Sequence, residues 1–332
     1  MDESQIKFQN IIAGNPGATL YDIGDDIAFL DFHSPKQAIG FEMISMIETS
    51  VSKVEVNYRG LVLGTRNAKN FSVGANLKLI LNAIENRNWK QIEKFMTEFQ
   101  SSLTQMKNSS FPIVSIPFGL TLGGGLEMVF PSDMSVTVSN TYCGLVEVKA
   151  GLIPAGGGCK EMLIKAVADS QDKIDPIEKY KNILSIFTTL ALGTVSKDAE
   201  DAKDLGYLND SDIVMKGEDL IKFAKEKVVD LSSLPYSPKV NNSIPVLGDE
   251  VRHRLIDEIP KIFGANQPTK YDIEIISKLA YIITGGNGTT GKLESEQYFL
   301  DLEKEVVLYL CGNENTSQRI SHILTTGKPL RN

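Results

Sequence analysis

The stretch FPIVSIPFGLTLGGGLEMVF, Phe111 to Phe130, decides how this chain is read. Its first part, FPIVSIPFG, is strand-like with a proline near each end. Its last part, GGGLEMVF, begins a helix. A glycine inside an element costs roughly 0.5–1 kcal/mol relative to alanine, so the triplet Gly123–Gly124–Gly125 needs a reason. A strand ending near Phe118 and a helix starting near Gly124 would place the triplet at a helix N-terminus. The N–H groups there lack intrahelical partners and carry partial positive charge. With no Cβ in the way, a ligand oxygen can approach them, so the turn suits an oxyanion or a phosphate. The same glycines also suit a tight turn with close packing.

A second glycine site lies upstream. NFSVGANLKLI, Asn70 to Ile80, follows the strand-like GLVLGT and also enters a helix. Two such turns, each aiming one N–H group, would make a two-donor oxyanion hole; they also read as two ordinary loops. Two carboxylates accompany them. Glu127 sits among Leu126, Met128, Val129 and Phe130, and Glu147 lies in YCGLVEVKAGLIPAGGG. Apolar surroundings push a carboxyl pKa up, and two carboxyls pushed unequally give one acid and one base. The bland alternative for each is a solvated or ion-paired glutamate.

Strands and helices alternate through the first half of the chain, which predicts an α/β class. TLYDIGDDIAFLDFHS reads as two strands around a Gly-Asp turn, and QAIGFEMISMIETSV has its apolar residues at helical spacing. Helices are expected over 76–81 and 89–106, and DMSVTVS reads as a strand. From Lys160 the pattern is mostly helical, with DIVM as a short exception. LPYSPKVNNSIPVLG is rich in Pro, Ser and Asn and reads as a linker. Helices are then expected at about 249–263, 272–283, 295–310 and 316–325. The domain reading is a catalytic core over 1–230, a linker over 231–248 and a helical extension over 249–332.

The chain has 332 residues, 42% of them hydrophobic, and a net charge of -8. That charge disfavours nucleic acid or an anionic membrane as the main partner. The opening MDESQIKFQN is acidic and polar and does not read as a secretory signal. No apolar run is long enough to span a membrane. Cys143, Cys159 and Cys311 are odd in number and lack CxxC spacing, so neither a disulfide framework nor a zinc site is expected, and a reducing cytoplasm is the natural compartment. His253, in VRHRLIDEI, reads as a solvated helical histidine. GGNGTTGK, Gly285 to Lys292, nearly fits a phosphate loop. However, Leu293 stands where the motif needs serine or threonine, and a helical tract precedes it instead of a strand. No GxGxxG follows a strand with an acidic residue some twenty positions on, so no dinucleotide site is expected.

Three segments in order resemble the crotonase superfamily, the enoyl-CoA hydratases and isomerases. Phe71–Ser72–Val73–Gly74–Ala75–Asn76 resembles its FxxGAD loop. Leu122–Gly123–Gly124–Gly125–Leu126–Glu127 resembles LGGGxE. Cys143–Gly144–Leu145–Val146–Glu147 with Gly151–Leu152–Ile153–Pro154–Ala155–Gly156–Gly157–Gly158 resembles FGxPE…GLxPxxGG. Asn76 stands where that loop has aspartate, and Val146 where the family has proline. The tail from Leu293 onward resembles the end of bacterial fused fatty-acid oxidation proteins, in which a 3-hydroxyacyl-CoA dehydrogenase precedes a hydratase module. The resemblance implies a spiral of ββα units, a trimer-type homo-oligomer, and an acyl-CoA thioester as substrate with no cofactor beyond its coenzyme A. By position it implies an oxyanion hole of Ala75 and Gly124, catalytic Glu127 and Glu147, and substrate contacts from Ala75, Asn76, Leu77, Lys78 and Gly124. The expected activity is enoyl-CoA hydration in fatty-acid β-oxidation. The alternatives are 3,2-enoyl-CoA isomerisation, which needs one shuttling carboxylate, and a non-catalytic acyl-CoA-binding or docking module for a dehydrogenase domain or chain. Solvated glutamates or internally paired glycine N–H groups would favour the docking module.

Overall fold

The computed structural model describes residues 8, 10–168, 176–217, 219–238 and 243–332. Most of the opening MDESQIKFQN and positions 239–242 of the expected linker lie outside the described residues. The chain opens with strands β1 (Asn10–Gly14), β2 (Ala18–Asp22) and β3 (Ile27–Phe32), the last two around the expected Gly-Asp turn. Helix α1 (Phe41–Asn57) buries Met43, Ile44, Met46, Ile47, Val51 and Val54, the apolar positions its spacing picks out. Strand β4 (Gly60–Gly64), α2 (Leu77–Glu85) and α3 (Trp89–Lys107) follow. Next come β5 (Ile113–Ser115), β6 (Gly119–Leu122), the single turn α4 (Gly124–Glu127), β7 (Met134–Val138) and β8 (Thr141–Gly144). A 3-10 turn, Glu147–Ala150, leads to α5 (Gly158–Ala168), α6 (Pro176–Leu192), α7 (Ala199–Asp204), β9 (Ile213–Met215) and α8 (Leu220–Ser232). The last part holds β10 (Ile244–Pro245), α9 (Gly248–Phe263), α10 (Lys270–Ile283), β11 (Leu293–Glu294), α11 (Glu296–Cys311) and α12 (Glu314–Thr326).

The deciding stretch folds differently from its reading in one respect. No single strand runs to Phe118. The strand β5 stops at Ser115, and β6 intervenes before the glycine turn. Pro117 has no N–H to continue a ladder, and Gly119, at φ +55°, turns the chain in a conformation suited to glycine. The helix expected over GGGLEMVF is only the one turn Gly124–Glu127. Pro131 follows closely and disfavours helical geometry at Phe130.

The chain forms two compact units, each drawn from several segments. The first comprises 1–75, 101–143 and 196–240. Its described strands form a sheet in the order β1-β2-β3-β4-β5-β7-β9. The first three strands pair antiparallel; β3, β4, β5, β7 and β9 pair parallel. Every residue of β3 and β4 is buried, as expected of parallel strands covered on both faces. Helix α8 closes a core of Ile27, Phe29, Val62, Val114, Val136 and Val228. A Cβ on Gly60 would lie 2.1 Å from Val228 Cγ1, so the close approach of α8 to β4 depends on that glycine.

The second unit comprises 76–100, 144–195 and 241–332. It is helical, with α10 packed against α5, α6, α9 and α11. Its Ile275, Ile276, Leu279, Ala280, Ile282 and Ile283 are buried. The four helices expected over 249–332 form within a few residues of their predicted bounds. One end of the expected linker is strand: β10 pairs with β11, Ile244 opposite Glu294.

Candidate active site

The FSVGAN loop lies against the strand and turn that follow Pro117. The Ser72 N–H donates to Leu120 O at 3.2 Å, and Ser72 O accepts from the Leu122 N–H at 3.0 Å. The Ser72 hydroxyl donates to Gln37 O at 2.7 Å and accepts from the Gly74 N–H at 3.1 Å. One serine thus ties down both the loop and its neighbours. Two glycines then permit contact. Gly74 has φ +94°, and a Cβ there would lie 2.9 Å from Leu122 O and 3.3 Å from Gly124 N. A Cβ on Gly125 would lie 2.6 Å from the Ser72 Cβ. The two glycine sites read separately in the sequence therefore meet.

What the meeting leaves open is the chemistry. Among the described residues, neither the Ala75 N–H nor the Gly124 N–H donates to an acceptor. Gly124 opens α4, where N–H groups have no intrahelical partner. Three residues on, within the same helical turn, Glu127 is only 3% exposed. A pair of free donors near a buried carboxyl can stabilise negative charge on an oxygen and move a proton. Among the expected substrate contacts, Asn76 is the N-cap of α2, its side chain accepting from the Leu79 N–H at 3.2 Å. It thereby does what an aspartate there would do for the helix. Leu77 is half-buried and Lys78 exposed.

Glu147 opens the 3-10 turn and is half-buried. Its carbonyl accepts from the Leu152 N–H at 3.0 Å, and Gly151, at φ +80°, ends the turn. Residues that sequence reading missed hold this segment. The fully buried Glu303 of α11 accepts from the Gly157 and Lys160 N–H groups, both at 2.8 Å, at the start of α5. A carboxylate there complements the helix dipole. Thr316 and Arg319 of α12 reach the turn itself: the Thr316 hydroxyl donates to Gly151 O at 2.8 Å, and Arg319 Nη1 donates to Val148 O at 3.2 Å. Buried Glu, Thr and Arg look in sequence like polar residues of an amphipathic helix, so no local signal marked them. Val148 and Lys149 also border a cavity of about 370 Å³. Burial holds the Lys149 ammonium below its ordinary pKa.

The GGNGTTGK stretch is structural. It follows α10, and the N–H groups of Gly285, Gly286, Gly288, Gly291 and Lys292 all donate to main-chain carbonyls of its own unit. Lys292 pairs with Glu294 at 2.6 Å. The glycine N–H groups and the lysine that a phosphate loop would use are therefore already engaged. His253 is exposed, as expected, and the three cysteines are buried and outside any disulfide.

This combination of sheet, loop and glycine turn is the crotonase fold. The structure aligns with a carnitinyl-CoA dehydratase from Mycobacterium thermoresistibile at a TM-score of 0.66 and 14% identity, covering 95% of this chain and 91% of that one. Residues 22–173 match the family model described as enoyl-CoA hydratase/isomerase. Residues 22–173 thus carry the signature of that family. It is 37% identical over 325 residues to the "Probable 3-hydroxyacyl-CoA dehydrogenase" of Bacillus subtilis (strain 168), covering 98% of this chain and 40% of that protein. It is 25% identical over 324 residues to the "Putative fatty acid oxidation complex trifunctional enzyme" of Rickettsia felis, with 98% and 40% covered. The chain thus spans about 40% of the length of these relatives. No described helix is long and apolar enough to cross a membrane.

Proposed function

We propose that this chain hydrates trans-2-enoyl-CoA to 3-hydroxyacyl-CoA in fatty-acid oxidation. The observation that carries the reading is the pair of free N–H groups, Ala75 and Gly124, on a loop and a helical turn that touch through Gly74. Addition of water to the enoyl thioester builds negative charge on the carbonyl oxygen. Two fixed donors meet that charge, one such donor being worth about 10²–10³ in rate. Glu127 orients and deprotonates the water that attacks C3, and Glu147 delivers a proton to the α-carbon. Positioned acid and base groups contribute roughly 10²–10⁴. Coenzyme A enters as part of the substrate, with Asn76, Leu77 and Lys78 beside the acyl-CoA. The free donors and the burial of Glu127 tell against a purely docking role. The names of the longer relatives support a 3-hydroxyacyl-CoA dehydrogenase domain or chain as the partner that consumes the product, and the superfamily fold supports a trimer-type assembly.

The test is the enoyl-thioester absorbance with crotonyl-CoA and longer analogues. The wild-type chain is expected to bleach it, Glu127→Gln to slow that by at least about 10²-fold, and Glu147→Gln to abolish it. Fast conversion of 3-enoyl-CoA with poor hydration, and Glu127→Gln indifferent to both, would instead establish the isomerase.

A further inference from the structure

The functional reading assigns Glu147 a proton at carbon but leaves open what fixes the turn that carries it. The turn has three main-chain bonds of its own: Lys149 N–H to Val146 O at 3.0 Å, Gly151 N–H to Val148 O at 3.2 Å and Leu152 N–H to Glu147 O at 3.0 Å. It is four residues of 3-10 helix with no side-chain cap, and Val148 and Lys149 border the cavity of about 370 Å³. The Val148 and Gly151 carbonyls also accept from α12. Thr316 is fully buried, and its hydroxyl donates to Gly151 O at 2.8 Å while sharing a second hydrogen bond with the Tyr271 hydroxyl. Arg319, 2% exposed, donates to Val148 O at 3.2 Å. The Arg319 guanidinium is itself held by Asp272 and Asn332, each at 2.8 Å, and lies over the Tyr271 ring at 5.0 Å. Contact is so close that a Cβ on Gly151 would lie 3.0 Å from the Thr316 Cα.

We infer that Thr316 and Arg319, in the C-terminal helical extension, are positioning residues that set where the Glu147 carboxylate stands by holding the carbonyls of Val148 and Gly151. The inference rests on the catalytic role proposed for Glu147. It makes the extension part of the catalytic apparatus, since the residue after Glu147 and the glycine that ends the turn are both held from it. A positioning loss reduces turnover with little change in substrate affinity, because small misplacements of a reacting group are costly in rate.

Thr316→Val keeps the volume and removes the donor; Thr316→Ser keeps the donor. With crotonyl-CoA, Thr316→Val is expected to lower kcat roughly tenfold, to leave KM within about twofold, and to keep the wild-type circular dichroism. Thr316→Ser is expected to restore most of kcat. Should Thr316→Val not fold, Thr316→Ala removes the same donor and carries the same expectation. Wild-type kcat in the variant without the hydroxyl would overturn the positioning role while leaving the hydratase reading intact. An equal loss in Thr316→Ser would overturn it too. Absence of hydration by the wild-type chain would overturn the hydratase reading and this role with it.

Discussion

Gly124 and Glu127 show at the scale of single residues how backbone and side chain divide the proposed chemistry. Gly124 contributes a free N–H at the first position of α4, and Glu127 a carboxyl almost removed from water one turn later. A side chain on Gly124 would stand beside the donor it is meant to expose. Gly124→Val is therefore expected to fold, with an unchanged circular dichroism spectrum, and to lose about 10²-fold or more of hydration. Hydration near the wild-type rate would remove Gly124 from the oxyanion hole. Asn76 makes the complementary point. It differs from the family's aspartate in charge, yet caps α2 as an aspartate would, so the cap depends on a side-chain oxygen and not on ionisation.

Among the elements, α10 and α12 are joined by a buried ionic cluster. Burial alone would push the Asp272 carboxyl up. The bonds it accepts from the Thr269 N–H, Arg331 and Arg319 outweigh that and hold it below the ordinary carboxylate value of 3.8. A carboxyl lowered by folding stabilises the fold above its unfolded pKa and loses that contribution as pH falls through the folded one. The melting temperature is thus expected to drop as pH falls below about 4. Asp272→Asn should be less stable at neutral pH, by about 3–5 kcal/mol, since it strands the Arg319 charge in the interior. It should also show a flatter dependence on acid. Thermal unfolding from pH 3 to pH 7 measures both effects. An Asp272→Asn protein as stable as wild type at pH 7 would mean the cluster contributes little.

For the whole molecule the relatives pose a sharp question, because one is named as a dehydrogenase and this chain spans 40% of it. This chain carries the crotonase fold. The GxGxxG spacing at 286–291 follows helix α10, not a strand, and the glycine N–H groups at 286, 288 and 291 are used within the chain. The pure chain with 3-hydroxyacyl-CoA and NAD is accordingly expected to give no rise in absorbance at the NADH band. Stoichiometric NADH would reveal a redox site in this segment.

How much of this was legible in the order of residues follows from the range of the forces involved. The α/β alternation, α1, the buried strands and the four C-terminal helices rest on periodicity and local propensity, which act within a few residues. The three glycine-rich segments were legible because glycine's freedom and its cost are local too. Pro117 and Gly119 break the strand locally, but the second strand, β6, needs Ser72 to pair with Leu120 and Leu122 from some fifty residues away, which no local pattern shows. The meeting of Gly74 with Gly124 and the freedom of two N–H groups required the fold. So did the burial of Glu303, Thr316 and Arg319 against the segment from Glu147 to Lys160. In sequence these three are polar residues on amphipathic helices. Only tertiary packing decides which polar groups lose water, and a group without water must find a partner in the chain.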